Sequence, residues 1–182
     1  ARRARAVPQL DRAGRRLLQP GGAILDFSSV AKGYGVDRLG LCLERHGVRH
    51  YLVEVGGELR GAGMKPGGEP WWVEIEGVPD AAPGPQAMVA LHGLAVATSG
   101  DYRSYFRQGE RRASHTLDPR TGQPIANGVA SCTVVASTCM AADALSTALT
   151  VMGVGAGLAF ANARGIAARY LVRQGGGLAE HS

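Results

Sequence analysis

The chain has 182 residues, 45% of them hydrophobic and 19% charged, with a formal net charge of +5. That length carries one domain with a real core, and the composition excludes a disordered chain. The positive balance invites nucleic acid as a partner, but much of it sits in the first sixteen residues, where Arg2, Arg3, Arg5, Arg12, Arg15 and Arg16 face Asp11 alone.

A basic run of this kind is more often a solvated arm than a nucleic-acid site. No aromatic-interleaved basic patch follows it, so nucleic acid is not an expected partner. Residues 1–22 read as an arm, or as the remnant of something longer, ahead of a single unit over 23–182. "AILDF" at 23–27 reads as a short strand. Ser28 or Ser29 is placed to cap a helix that runs to about His46 and stops at Gly47. Val36, Leu39 and Leu43 give that helix an apolar face. "HYLVEV" at 50–55 alternates as a strand and ends in Gly56-Gly57, and "WWVEIEGV" at 71–78 is a second strand. "AMVALHGLAVATSG" at 87–100 reads as two strands turning near His92-Gly93. "SHTLDPRTGQP" at 114–124 is a loop, with two prolines, a glycine and no apolar alternation. "SCTVVAS" at 131–137 is a strand, after which Ser137 or Thr138 caps a helix through about Met152. A second helix over about 156–164 and a strand "IAARYLVR" at 166–173 follow. Strands in series with a few helices predict an α+β fold.

Three cysteines, Cys42, Cys132 and Cys139, have an odd count and no CxxC spacing, so neither a disulfide framework nor a zinc site is expected. No signal segment is expected at Ala1, because the arginine-rich start leads into no apolar stretch. Residues 144–161 are eighteen positions without a charge, which approaches a membrane span. Ser146, Thr147, Thr150, Gly153, Gly155 and Gly157 interrupt it, and two buried helices joined at a glycine turn account for it better.

Asp143 and Thr147 stand four apart on the 138–152 helix and therefore share a face. A carboxylate beside a hydroxyl is a pair of hard oxygen donors that suits Mg²⁺. The same pair has a plainer reading. A carboxylate near a helix N-terminus is favoured by the dipole, and Thr147 can bond back to the Asp143 carbonyl. Lys32 follows a helix N-terminus, a place where phosphate binds, although the P-loop pattern is absent and an isolated lysine is ordinarily solvated. "VEVGGELRGAG" and "ATSGDY" are glycine turns after strands. His115 is either a surface histidine or a reactive one.

Taken in order, "LDFSSVAKGYGVDRL", "YLVEVGGELRGAG", "VATSGDYRSYF", "SHTLDPRTGQP" and "AADALSTAL" resemble the flavin transferases of the ApbE type, from about Ile24 to Met152. The resemblance implies an α+β fold with a mixed, largely antiparallel sheet and packed helices. It implies Mg²⁺, FAD as substrate, and cleavage of the FAD pyrophosphate. AMP is released, and FMN is left in phosphoester linkage on a threonine or serine of a target protein. The family's metal ligands fall on the side chains of Asp143 and Thr147 and on the main-chain oxygen of Ser29. Its flavin-nucleotide contacts fall on Asp26, on Lys32 and near Leu117, and its loop histidine falls on His115. An imidazole, with a reference pKa of ~6.5, suits a general base for the acceptor hydroxyl. Pro119 and Gly122 then hold the loop that presents it.

Two positions depart from the family pattern. Ser28-Ser29 stands where Gly-Ala is common, and Glu58 where aspartate is common. Family members carry roughly as much chain again upstream, so the N-terminal part of the family domain is expected to be missing here. Two other readings share the site: a Mg²⁺-dependent FAD pyrophosphatase with water as acceptor, and a non-catalytic flavin-binding module. The resemblance also implies a flavin-accepting subunit of a membrane redox complex as partner. With it go a periplasmic, inner-membrane-associated location and a lipid anchor on the mature protein.

Overall fold

The computed structural model describes residues 8–22, 24–79, 87–102, 105–108 and 111–182. Arg2, Arg3 and Arg5 of the basic arm and Ala23 of the first expected strand lie outside them. The arm's remainder is an exposed hairpin of β1 (Gln9–Asp11) and β2 (Arg16–Leu18). Ile24 to Phe27 have no regular structure, contrary to the expected strand. Among the described residues no strand pairs with them, and their work is different: Asp26 Oδ1 accepts the Ser28 N–H at 2.8 Å. That carboxylate, not a serine, caps α1 (Ser28–Arg45), whose N-cap residue Phe27 supplies no side-chain bond. Ser28 already lies inside the helix.

After α1, β3 (Tyr51–Val55) and β4 (Glu58–Ala62) form a hairpin around Gly56-Gly57. β5 (Trp71–Ile75) pairs with β6 (Ala87–Leu91) as a separate ribbon. β7 (Leu94–Gly100) then leaves that ribbon. The turn at His92-Gly93 is therefore a corner between sheets, because β7 pairs with β10 and β4 and not with β6. β8 (Tyr105–Gln108) and β9 (Arg111–Ser114) make a second ribbon. β10 (Val129–Ala136) leads through a short turn into α2 (Cys139–Met152) and α3 (Val154–Asn162). β11 (Ala167–Gln174) and β12 (Gly177–His181) end the chain.

The main sheet has six strands in the order β12-β11-β10-β7-β4-β3, and every neighbouring pair is antiparallel. With α1 and α2 packed on it, the α+β expectation holds. The core lies between this sheet and α2 and α3. Val134 and Cys132 of β10, Ala97 of β7, Leu149 and Ala142 of α2 and Tyr170 of β11 form one buried cluster. Each large apolar side chain removed from water there contributes about 1.5–3 kcal/mol. The uncharged stretch 144–161 divides into two helices at Gly153, as its glycines predict. Among the described residues no helix is long and apolar enough to cross a membrane. All three thiols are free of disulfides. Cys132 and Cys139 are buried, and burial pushes each thiol up to about 12.

Helices α1 and α2 approach closely at Gly33, whose backbone meets both the backbone and the side chains of α2. A Cβ on Gly33 would run into the Cys139 carbonyl and come within 2.8 Å of Asp143 Cβ, so only glycine permits this approach. The N-terminus of α2 is capped twice. Thr138 Oγ1 accepts the Ala141 N–H at 3.3 Å. Asp37 of α1 accepts the Cys139 and Met140 N–H groups, both at 2.9 Å. Arg60 of β4 donates to the same Asp37 carboxylate at 2.9 Å.

Candidate active site

Among the described residues six segments converge on one cavity of about 1030 Å³: the start of α1, the β3–β4 turn, the end of β5, the end of β7, the loop after β9, and one face of α2. All seven residues singled out in the sequence, Asp26, Ser29, Lys32, His115, Leu117, Asp143 and Thr147, line it. They come from positions more than a hundred residues apart. The close approach of α1 to α2 brings the first three to the last two.

Asp143 is 3% exposed. Its Oδ2 accepts the Gly33 N–H at 2.9 Å. In an α-helix that N–H belongs to the carbonyl four residues back, which is Ser29. The carboxylate therefore competes with the Ser29 carbonyl for its helical partner, and this contact ties two of the expected metal ligands together. The helix-dipole reading of Asp143 fares worse. Asp37 and Thr138 take the first amides of α2, and no acidic residue lies in that helix's first turn. Thr147 Oγ1 does bond back to the Asp143 carbonyl, at 3.3 Å. A stronger contact joins it to Ser99 Oγ of β7 at 2.8 Å.

Lys32 is not an isolated solvated lysine. Its ammonium sits 2.6 Å from Glu58 Oε1, with side-chain exposures of 46% and 3% for the pair. An ammonium has three N–H donors, so the pair leaves donors for a ligand. Burial raises the Glu58 carboxyl above the usual carboxylate range, and Lys32 opposes that rise. Among the described residues Glu58 Oε2 is buried without a hydrogen-bond partner. Glu58 and Ser99 are among the cavity residues that sequence reasoning left without a role. Glu58 was visible only as a departure from the family turn, and Ser99 only as part of the glycine turn "ATSGDY".

The loop carrying His115 and Leu117 is stiffened from within. Asp118 is its hub: its carbonyl accepts the Gly122 N–H at 2.7 Å and its N–H donates to the Gln123 carbonyl at 2.8 Å. The Asp118 carboxylate holds the Arg120 guanidinium through bonds of 2.8 to 3.2 Å. Those bonds keep its pKa below the usual value. Gly122 turns the chain at φ 71°, and Leu117 bridges to Pro124 across the loop. His115 is exposed at the base of this knuckle and faces the cavity with Pro119.

The charge of the cavity is its most informative property. Among the described residues six carboxylates line it, from Asp26, Glu54, Glu58, Glu74, Glu76 and Asp143, against one lysine and no arginine. Such a wall repels an anion unless a cation is bound with it. The available donors are oxygens. Among the described residues no cluster of three His, Cys, Asp or Glu side chains is arranged for a metal. A carboxylate, a hydroxyl and a backbone carbonyl fit a cation that keeps few protein ligands and fills its shell with water and phosphate.

Known proteins match the chain over most of its length. The ApbE family model matches residues 2–170. The FAD:protein FMN transferase of Vibrio cholerae is 42% identical over 158 residues, covering 87% of this chain and 47% of that protein. Its counterpart in Salmonella typhimurium is 38% identical over 170 residues, covering 92% and 49%. Among solved structures, the apo form of the Pseudomonas stutzeri flavinyl transferase ApbE superposes with a TM-score of 0.85 at 46% identity. That match covers 96% of this chain and 54% of the other. The chain spans about half the length of the curated relatives it matches.

Proposed function

The chain belongs to the ApbE family, and from that premise we propose that it moves FMN from FAD onto a threonine or serine hydroxyl of a target protein. A phosphoester bond forms and AMP departs. The observation that carries this reading is the acidic cavity with its hard-oxygen donors. It is the wrong wall for a bare pyrophosphate and a suitable one for a pyrophosphate that arrives with Mg²⁺.

The residues that would hold Mg²⁺ are Asp143 and Thr147 through their side chains and Ser29 through its carbonyl. The chemistry supplied by Mg²⁺ when bound there is neutralisation of the pyrophosphate and of the charge that develops on departing AMP. The remaining work falls to the protein. Lys32, steadied by Glu58, directs its spare N–H donors at phosphate oxygens. Asp26 and Leu117 frame the nucleotide. His115 takes the proton of the acceptor hydroxyl as that oxygen bonds to the FMN phosphorus, and the phosphorus–oxygen bond to AMP breaks. Transfer of this kind depends on alignment and charge more than on covalent help from the enzyme. By family analogy the acceptor is a flavin-carrying subunit of a membrane redox complex on the periplasmic side of the inner membrane.

His115 is exposed, so water can reach it, and this favours hydrolysis of FAD to FMN and AMP as the competing reading. One assay separates the possibilities. The chain is incubated with FAD, Mg²⁺ and a threonine-bearing acceptor, and AMP and in-gel flavin fluorescence are followed. AMP with a fluorescent acceptor band supports transfer. AMP with free FMN alone makes the chain a pyrophosphatase, and FAD binding without AMP makes it a flavin-binding module.

Lys32→Ala tests the phosphate contact. A charge-assisted hydrogen bond lost from substrate and transition state alike raises the apparent KM for FAD about tenfold and leaves kcat nearly unchanged. A fall in kcat at constant KM would remove Lys32 from substrate binding.

A further inference from the structure

Ser99 stands at the meeting point of β7 and α2. Its Oγ lies 2.8 Å from Ser146 Oγ and 2.8 Å from Thr147 Oγ1. Ser146 Oγ lies 2.9 Å from the Asp143 carbonyl oxygen, and Thr147 Oγ1 lies 3.3 Å from that same oxygen. Each hydroxyl carries one proton. Three protons therefore serve four contacts, and one contact is left with two oxygens facing each other without a hydrogen between them.

Distance decides which one. If Thr147 gives its proton to Ser99, Ser99 to Ser146 and Ser146 to the Asp143 carbonyl, the contact without a proton is the longest, at 3.3 Å. In the reverse direction the Ser146 to Asp143 contact goes without a proton at 2.9 Å. If Ser146 and Thr147 both point at the carbonyl, one of the Ser99 contacts goes without at 2.8 Å. Two bare oxygens repel more strongly the closer they lie, so the first direction is the stable one.

We infer that Ser99 is a positioning residue for the metal site: it accepts the Thr147 proton and leaves both Thr147 lone pairs to a cation in the cavity. This rests on the reading of Asp143 and Thr147 as metal ligands. The relay ends on the carbonyl of Asp143, whose carboxylate is the charged ligand, so one residue anchors both oxygen donors of α2. Ser99 itself lines the cavity beside Thr147. An outer hydroxyl that fixes the orientation of a metal-bound hydroxyl follows the general logic of outer-shell groups in metal sites.

The test is cation binding in the absence of FAD. Mg²⁺ is titrated by calorimetry and Mn²⁺ by electron paramagnetic resonance. Both are measured on the parent chain and on Ser99→Ala, Ser99→Thr, Thr147→Ala and the Ser99→Ala/Thr147→Ala double variant. Ser99→Ala weakens cation binding about 10–100-fold, the usual effect of losing an outer-shell partner. Ser99→Thr, which keeps the hydroxyl on a strand that accepts β-branched residues, restores most of the affinity. In the double variant the loss equals that of Thr147→Ala alone, because Ser99 acts only through Thr147. Parent-like affinity in Ser99→Ala, or losses that simply add in the double variant, would overturn the inference. Should Ser99→Ala fail to fold, Ser99→Cys, a weak acceptor of similar shape, carries the same readout, and parent-like affinity there is equally fatal. Asp143→Ala is the control. If it binds cations like the parent, the metal reading itself falls. If it loses them while Ser99→Ala does not, only the role of Ser99 falls.

Discussion

Asp143→Ala loses magnesium-dependent turnover of FAD by a factor on the order of 10³ or more, because Lewis-acid stabilisation of a phosphoryl transfer is worth several kcal/mol. Asp143 is the one charged ligand in the proposed set. Thr147→Ala costs less, since a water oxygen can take the place of a neutral hydroxyl. Asp143 also has a structural duty, the 2.9 Å bond from Gly33 N–H, and alanine removes both functions at once. Asp143→Asn separates them, because its amide oxygen still accepts from Gly33 while the charge is gone. The measurement is AMP release against Mg²⁺ concentration, with the melting temperature of each metal-free variant as a control. Parent-like turnover in Asp143→Asn would leave the carboxylate as a helix-to-helix tether and nothing more.

His115→Asn keeps FAD affinity and lowers flavin transfer by roughly 10²–10⁴-fold, the usual span for a positioned base. The loop withstands the change because Asp118, Arg120 and Gly122 hold it from within. Transfer rate is measured with a threonine-bearing acceptor, and FAD affinity is measured separately by flavin fluorescence. An unchanged rate would reduce "SHTLDPRTGQP" to a structural knuckle. A lost rate together with lost FAD binding would make His115 a flavin contact.

The sequence made some features easy to read and hid others, for physical reasons. Asp143, Thr147 and Lys32 were legible because spacing on a helix is local, and so were the limits of α2, whose cap Thr138 and terminal Gly153 are local signals. The strand expected at 23–27 failed because an apolar alternation becomes a strand only where another strand pairs with it. β4 was missed for the converse reason. "ELRGA" has no alternation of its own, yet pairing with β3 and β7 makes it a strand. The role of Asp26 as the cap of α1 was hidden behind two serines that looked better suited to it. Ser99 and Glu58 had no local signal, because each has its partner on a distant element.

Asp37 ties the start of α2 to the docking of α1. It caps α2 from a position 102 residues earlier in the chain, so during synthesis the capping carboxylate emerges long before the amides it will receive. A 14-residue helix is marginal by itself in water. The first turn of α2 therefore becomes firm only when α1 docks, and the face of α2 that carries Asp143 and Thr147 is a late product of folding. Hydrogen exchange should record this history. The Cys139 and Met140 amides open only with the docked pair of helices, and Asp37→Ala makes them exchange faster while the amides near Leu149 stay protected. Slow exchange at Cys139 and Met140 in Asp37→Ala would show that the first turn is secured locally by Thr138. A lesion at Asp37 lies outside the cavity, yet it would loosen the helix start that carries Asp143 and so weaken cation binding before it unfolds the protein.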